Sequence, residues 1–523
     1  MNNINKPEKA TQNRVIQLFC DELGYDYLGD WTDRPNNTNI DEPLLTAYLL
    51  EAGFDQTQIS KTIHVLRTEA DNHSRGLYGN NLVVYNLLRY GVTVKTDAEK
   101  NAETVQVINW NEPEKNHFAI AQEVTLKGTN ERRPDIVLYV NGIAITVLEL
   151  KNSRHDVSEG IHQLCSNQKP MFNEWFFSTI QLCLAGNDSA GLQYATTGTP
   201  AKYYLTWKED VQDNSGYKLD KYLKKMCRKE RLIELMHDFV LFDSGVKKLP
   251  RVHQYFGIKA AQQHVNEHKS GIIWHTQGSG KSIVMVLLAK WILENKPKAR
   301  VVIITDRSEL DGQIKGVFMD AGEKEIYQTS SGRDLITQLS QPTPRLLCSL
   351  VHKFGNKKVD NFDQFIKDIE ANPSQTVGDV FVFVDECHRT QSGKLHRVMK
   401  AMMPQATFIG FTGTPLLKKD KRTSLETFGQ YIHTYKYSEA VEDEVVLDLV
   451  YEARDIDQKL GSEEKIDAWF DAKTKGLNDW QKDELKKKWG TMQNVLSSRS
   501  RMQKVVDDIL FDFNVKPRLS SGR

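Results

Sequence analysis

A chain of 523 residues outgrows a single hydrophobic core and predicts two to four domains. Its hydrophobic content of 39% and charged content of 26% are those of a soluble globular protein. No apolar run approaches the roughly 18 residues of a membrane span, and the polar stretch Met1 to Lys9 carries no signal-peptide pattern, so a cytoplasmic location is expected. Lys plus Arg and Asp plus Glu balance at 69 each, so a nucleic-acid partner cannot be read from bulk charge and any basic surface has to be local. Cys20, Cys165, Cys183, Cys227, Cys348 and Cys387 form no CxxC pair and read as reduced thiols rather than a disulfide frame or a zinc site.

Up to about residue 110, amphipathic helical stretches alternate with loops. Asp41-Glu42-Pro43 before Leu44 to Leu50 is a helix start, with Gly53 as its stop, and Leu82 to Tyr90 is a second apolar helix ended by Gly91. Next comes Arg132-Arg133-Pro134-Asp135, followed by two β-rich runs, Ile136 to Val140 and Ile143 to Leu148, flanking Asn141-Gly142. That is a strong hairpin signal, and runs apolar on both faces predict a central hairpin covered on two sides. An acid at its entrance and Glu149-Leu150-Lys151 at its exit are costly charges to place there without a task.

Asp135 and Glu149 could hold a divalent cation, and Lys151, on the Glu149 face, could orient or activate water and stabilise a pentavalent phosphate. A strict two-residue turn sets Glu149 opposite Pro134 and turns Asp135 to the other face. A bulge at Gly142 would bring Asp135 opposite Val147 and onto the Glu149 face, so this chemistry demands an irregularity in the hairpin.

Arg132 to Asn152 resembles the PD-(D/E)xK nuclease core, in particular that of type I restriction–modification motor subunits. The resemblance implies Asp135, Glu149 and Lys151 as catalytic residues, with Asp135 and Glu149 holding Mg²⁺. The family pattern continues with Gln-x-x-x-Tyr, but here Gln163 is followed by Asn167 in the tyrosine position, and the role of Gln163 stays open. An upstream acid often completes such sites, with Asp41 or Glu42 as the candidates. The aromatic stretch from Phe172 to Trp207 reads as the rest of this domain, placed at residues 1–207. A polar linker, Lys208 to Gly216, and a charged helix, Lys221 to Phe242, make a connector over 208–250.

A buried strand then leads through His275-Thr276-Gln277-Gly278-Ser279-Gly280-Lys281-Ser282 into an apolar helix. This is the layout of a phosphate-binding loop, with His275 standing where the first glycine of G-x-x-x-x-G-K-[ST] belongs. Backbone N–H groups from Thr276 through Ser282 would cradle an anion at the helix N-terminus. Lys281 would reach the β/γ-phosphates, and Ser282 would take one Mg²⁺ position. Further apolar strands end at Asp306-Arg307, at Val351-His352-Lys353, at Asp385-Glu386-Cys387-His388 and at Thr412-Gly413-Thr414-Pro415. Strand C-termini are where α/β sheets place ligand loops. Asp385 would hold Mg²⁺ through water, and Glu386 would polarise the attacking water.

This constellation resembles the first RecA-like domain of a superfamily 2 helicase or translocase, over about 251–440. The resemblance implies that Gln254 reads the adenine edge; His388 would couple the nucleotide state to a neighbouring segment, and the Thr412 and Thr414 hydroxyls are suited to link nucleotide state to DNA position. Beyond it lie a strand-like run, Glu444 to Tyr451, and charged helical sequence, a segment of 441–523 expected to lead to a second RecA-like domain. Without that domain's arginine finger, weak ATP binding and negligible hydrolysis are expected of these 523 residues alone.

The fold class expected is therefore α/β: a mixed-sheet nuclease domain, a RecA-like parallel α/β ATPase domain and a helical C-terminal segment. The implied function is that of a type I restriction enzyme R subunit: ATP-driven translocation of double-stranded DNA with Mg²⁺-dependent cleavage, in partnership with methyltransferase and specificity subunits. An ATP-regulated DNA-binding or remodelling module with a non-cleaving nuclease fold, and an RNA helicase with an unrelated N-terminal domain, are the alternatives.

Overall fold

The computed structural model describes residues 8–97, 101–152, 155–209, 216–305, 318, 326–350, 376–387, 399–414, 428–449, 451, 463–489 and 499–515. Asp306-Arg307, Val351 to Lys353, His388 and Pro415 lie outside the described residues. The chain divides into two compact units, Met1–Val446 and Leu447–Arg523. Among the described residues no helix is long and apolar enough to cross a membrane.

The first part of the larger unit runs α1 (Glu8–Gln17), β1 (Asp26–Asp30), α2 (Glu42–Glu51), α3 (Gln56–Ala70), α4 (Gly76–Tyr90), β2 (Val92–Val94), β3 (Glu103–Val105), β4 (Phe118–Gln122), β5 (Ile136–Val140), β6 (Ile143–Leu150), α5 (Val157–Asn167), β7 (Leu182–Asn187), β8 (Gly191–Ala195) and β9 (Leu205–Thr206). Seven strands form one mixed sheet in the order β1-β4-β5-β6-β7-β8-β9, while β2 and β3 pair separately. The β5–β6 hairpin is central and every residue of both strands is buried, as continuous apolar runs demand. Asp41 caps α2, accepting from the Leu44 N–H at 3.1 Å, and α4 begins a turn and a half before the expected Leu82.

The hairpin turns on Asn141 (φ 52°) and Gly142 (φ 79°), a two-residue primed turn that matches strand twist. The turn is packed under α2: the Asp41 N–H donates to the Gly142 carbonyl at 2.7 Å, and a Cβ on Gly142 would lie 2.7 Å from both Asp41 O and Leu45 N. Gly142→Ala therefore meets backbone on top of an unfavourable φ and should cost about 2–4 kcal/mol. Urea unfolding of the two chains would measure it, and equal midpoints would contradict this packing.

The connector is α6 (Lys218–Met226), α7 (Lys229–Asp238) and an antiparallel ribbon, β10 (Leu241–Asp243) with β11 (Val246–Lys248), rather than the single helix expected over Lys221 to Phe242. The break has a cause. The Cys227 carbonyl, which a continuous helix would pair four residues on, accepts from the buried Tyr25 hydroxyl at 2.8 Å, and Arg228 turns extended.

The second sheet follows through α8 (Val252–Asn266), β12 (Gly271–His275), α9 (Lys281–Asn295), β13 (Ala299–Thr305), β14 (Ile326–Gln328), α10 (Gly332–Leu339), β15 (Leu346–Leu350), β16 (Asp379–Val384), β17 (Thr407–Thr412), β18 (Tyr431–Tyr435) and α11 (Tyr437–Glu442). Its order is β14-β15-β13-β16-β17-β12-β18 with every pairing parallel, so all strand C-termini share one edge. Buried Trp207 joins the two sheets, meeting Tyr194 of β8 and Tyr255 of α8 edge-on at 5.5 and 5.7 Å.

No strand forms in the described part of Glu444 to Tyr451. The Val445 and Val446 N–H groups both donate to the Ala440 carbonyl and close off α11, and Leu447, Leu449 and Tyr451 are exposed. The smaller unit contributes α12 (Glu463–Lys473), α13 (Asp479–Trp489) and α14 (Arg499–Val515).

Candidate functional site

Two constellations stand at sheet edges. In the first, the β5–β6 register runs Val140↔Ile143 and Tyr139↔Ala144 next to the turn, then shifts to Leu138↔Thr146, Val137↔Val147 and Ile136↔Leu148. The extra residue is Ile145. Ile145 packs with Leu148 and Leu150 in one core, whereas Ala144 and Val147 pack with Val137 and Tyr139 in the core on the other face. The bulge is thus three residues past Gly142, not at it, and it corrects the pairing expected from the sequence: continued one step, the register sets Asp135 opposite Glu149 rather than Val147.

Asp135 Oδ2 accepts from the Leu150 N–H at 2.7 Å, supplying the acceptor that β5 no longer provides beyond Ile136. Glu149 is fully buried and Lys151 is half-buried. Helix α5 crosses this face with Gly160 at the closest approach, where a Cβ would lie 3.5 Å from Glu149 Cβ and 3.6 Å from Lys151 Cγ. A Cβ there would make ordinary contact with both side chains, and a side chain reaching beyond Cβ would press on them. Gln163, one turn further along α5, is half-buried, and Asn167 is fully buried.

Neither upstream acid joins this group. Asp41 is at the turn end of the hairpin, bound to Arg34 at 2.6 Å, and Glu42 pairs with Arg67 on the surface. The element that does reach the site is α1, whose Gln12 amide donates to the Asp135 carbonyl at 2.9 Å. Tyr204 was also not anticipated. It packs beside α5, and its hydroxyl is held protonated by burial first, then by Cys183 and Cys165, with the Glu149 carboxylate adding to the effect. Gln12 and Tyr204 are far from the hairpin in the chain, and nothing local in the sequence marks them. Among the described residues no group of three His, Cys, Asp or Glu side chains is gathered closely enough to hold a metal alone.

The second constellation lies on the C-terminal edge of the parallel sheet. Strand β12 carries the glycine-rich loop, β17 beside it carries Thr412-Gly413-Thr414, and β16 beside β17 carries Asp385-Glu386. Gly278 (φ 83°) and Gly280 (φ 85°) both take the left-handed backbone that lets the loop curl into α9, with Lys281 and Ser282 in its first turn. Thr276 and Ser279 are buried.

A Cβ on Gly413 would lie 2.8 Å from Lys281 Nζ and 3.3 Å from the Gln277 nitrogen, so the bare backbone at 413 makes room for the lysine head. Thr412 Oγ1 holds the same turn, accepting from the Thr414 N–H at 3.3 Å. Asp385 is buried at the end of β16, and Glu386 sits at φ 45°, a left-handed conformation costing about 1 kcal/mol that a glutamate adopts only where its surroundings impose it.

Gln254 is placed against this loop. Its Nε2 donates to the Ser279 and Gly280 carbonyls at 3.0 and 3.2 Å, and its Oε1 accepts from the Arg251 N–H at 2.8 Å. The amide braces the loop, and both of its ends are engaged. His275, in place of the usual first glycine, points beneath the loop toward His433 at 2.9 Å.

Comparison with known proteins agrees with this layout. Residues 5–202 match the family described as type I restriction enzyme R protein N terminus, and residues 253–483 match the SWI2/SNF2 ATPase family. A protein of Methanocaldococcus jannaschii is 27% identical over 508 residues, covering 89% of this chain and 47% of its own length. The type I restriction enzyme HindI endonuclease subunit of Haemophilus influenzae is 28% identical over 437 residues, covering 74% of this chain and 40% of its own. The chain thus spans less than half the length of these relatives. A solved nuclease-deletion mutant of the type ISP restriction–modification enzyme LlaGI aligns with 47% of this chain and 24% of its own at 14% identity, with a TM-score of 0.29, too loose a likeness to build on. The R-protein N-terminal module and the SWI2/SNF2 ATPase module thus stand in tandem over most of the chain, and proteins named type I restriction enzyme endonuclease subunits are similar to it across both.

Proposed function

We propose that residues 1–207 form a Mg²⁺-dependent endonuclease acting on double-stranded DNA, and that residues 251–440 form the first half of an ATP-driven motor that moves the same DNA. Residues 208–250 would join them, and 441–523 would lead on from the motor. The partners would be the methyltransferase and specificity subunits of a cytoplasmic restriction system.

The single observation that carries the nuclease reading is the Ile145 bulge, which sets Asp135 opposite Glu149. A bulge costs ladder hydrogen bonds, and here it supports the reading by setting Asp135 on the face of Glu149 and Lys151, where a regular hairpin would turn Asp135 away.

The donors fit the proposed cation. Two carboxylates offer oxygen only, which suits a hard divalent ion such as Mg²⁺, and a fully buried Glu149 calls for positive charge nearby. When bound, the ion would polarise the scissile phosphate. Lys151 then has the task of orienting water and of drawing off negative charge as it builds on the phosphate. Asp135, fixed by the Leu150 N–H, is held in orientation before any substrate arrives.

In the motor, the backbone of the loop and Lys281 would take the phosphates of ATP, Ser282 and Asp385 would hold its Mg²⁺, and Glu386 would position the attacking water. Replacing Asp135 by Ala in the enzyme assembled with its partner subunits should abolish Mg²⁺-dependent cutting of plasmid DNA. Cutting at the wild-type rate would instead favour a nuclease-like fold that serves only to bind DNA.

A further inference from the structure

One carbonyl behind the phosphate loop receives two side-chain donors. His253 Nε2 and Gln254 Nε2, neighbours in the first turn of α8, each lie 3.0 Å from Ser279 O. In a trans peptide the C=O of one residue and the N–H of the next point in opposite directions. A Ser279 carbonyl pinned to α8 therefore commits the Gly280 N–H to the opposite side of the loop, where a phosphate oxygen would be met.

The His253 ring is itself held on two sides. It stacks on Tyr435 at 3.7 Å with planes 5° apart, and meets His275 edge-on at 5.3 Å. His275 Nε2 lies 2.9 Å from His433 Nδ1, and the buried His275 Nδ1 has no hydrogen-bond partner. An unpartnered buried N–H costs more than an unpartnered lone pair, so Nε2 of His275 carries the proton and donates to His433. Room for this ring comes from Gly257, where a Cβ would fall 2.9 Å from His275 Cε1. Burial also pushes the His253 imidazole down to about 4, so it stays neutral with its proton on the donating nitrogen.

We propose that His253 is a positioning residue for nucleotide binding: it pins the Ser279 carbonyl so that the loop N–H groups are aimed before ATP arrives, and His275 replaces the usual loop glycine as the wall that holds the His253 ring. The proposal rests on reading the loop as the nucleotide site.

The test is titration of the full 523-residue chain with a fluorescent ATP analogue and Mg²⁺, with thermal melting of each variant. His253→Phe keeps the stack on Tyr435 and removes the donor. It should weaken binding roughly three- to tenfold, the worth of one hydrogen bond, without lowering the melting temperature. His253→Gln, whose amide reaches as far as Nε2, should restore affinity to within about twofold of wild type. His275→Gly, although it restores the loop's usual glycine, should weaken binding rather than improve it.

Should His253→Phe melt early, His253→Asn, too short to reach Ser279, takes its place in the comparison with His253→Gln. Equal affinity in wild type and the donor-less variant overturns the proposal, as does a glutamine variant no tighter than that variant. If Lys281→Ala abolishes binding while the His253 variants bind normally, the proposal alone fails. If the wild-type chain binds no analogue, the nucleotide reading fails with it.

Discussion

Glu149→Ala is expected to abolish DNA cleavage by the assembled enzyme while leaving its ATP turnover intact. Glu149 is fully buried on the face shared with Asp135 and Lys151, and its side chain is one of the two carboxylates opposed across the hairpin. On the proposed role, its loss would remove a cation's worth of charge stabilisation, several kcal/mol, which at one decade per 1.36 kcal/mol is ~10³-fold or more in rate. The ATPase motifs belong to a different sheet, whose strands share no ladder with β6, so turnover has no direct route to the lesion. Linearisation of plasmid and phosphate release, measured on the same preparation, separate the two effects. A parallel loss of both would mean that the substitution had unfolded the chain or that the hairpin serves the motor.

The second large effect divides the nucleotide site. Lys281→Ala should remove ATP binding, because the lysine head and the loop N–H groups act together on the phosphates. Glu386→Gln should retain binding and lose ~10²–10⁴-fold in hydrolysis by the assembled enzyme, the range of a general base. The strained backbone at Glu386, φ 45°, fits a residue held for a purpose other than packing. An analogue titration beside a turnover assay reads both variants. Absence of binding in Glu386→Gln would show that the roles assigned within Asp385-Glu386 are wrong.

The legible parts of this fold are those written in adjacent residues. Asn141-Gly142 between two apolar runs marked the hairpin, although the irregularity expected at Gly142 lies at Ile145, and the glycine loop, Asp385-Glu386 and Thr412-Gly413-Thr414 all fall at ends of parallel strands, as expected. The bulge was legible only as a requirement. Ile145 is an apolar β-branched residue among others, so nothing marks it as the unpaired one, and its place is set by which face each neighbour buries.

Edge strands such as β1, β14 and β18 are short and only partly buried, which leaves little periodicity to read. Gln12 and Tyr204 reach the Asp135–Glu149 group by long-range packing alone. The apolar run after Glu444 shows the converse. It has the composition of a strand, but two of its N–H groups are spent on closing α11, and its large side chains are exposed.

His275 is the most instructive departure. As a sequence it is a flaw in the phosphate-loop motif. In the fold it fills the space left by Gly257 and supports the ring that holds the loop.

The most direct test of the two-site account is a crystal structure of this chain grown with Mn²⁺ and a non-hydrolysable ATP analogue. Anomalous density is expected between Asp135 and Glu149, with a second peak beside Ser282 and Asp385 and the analogue's phosphates in the loop. A nucleotide-bound structure with no metal at the hairpin, and with Asp135 turned away from Glu149, would contradict it.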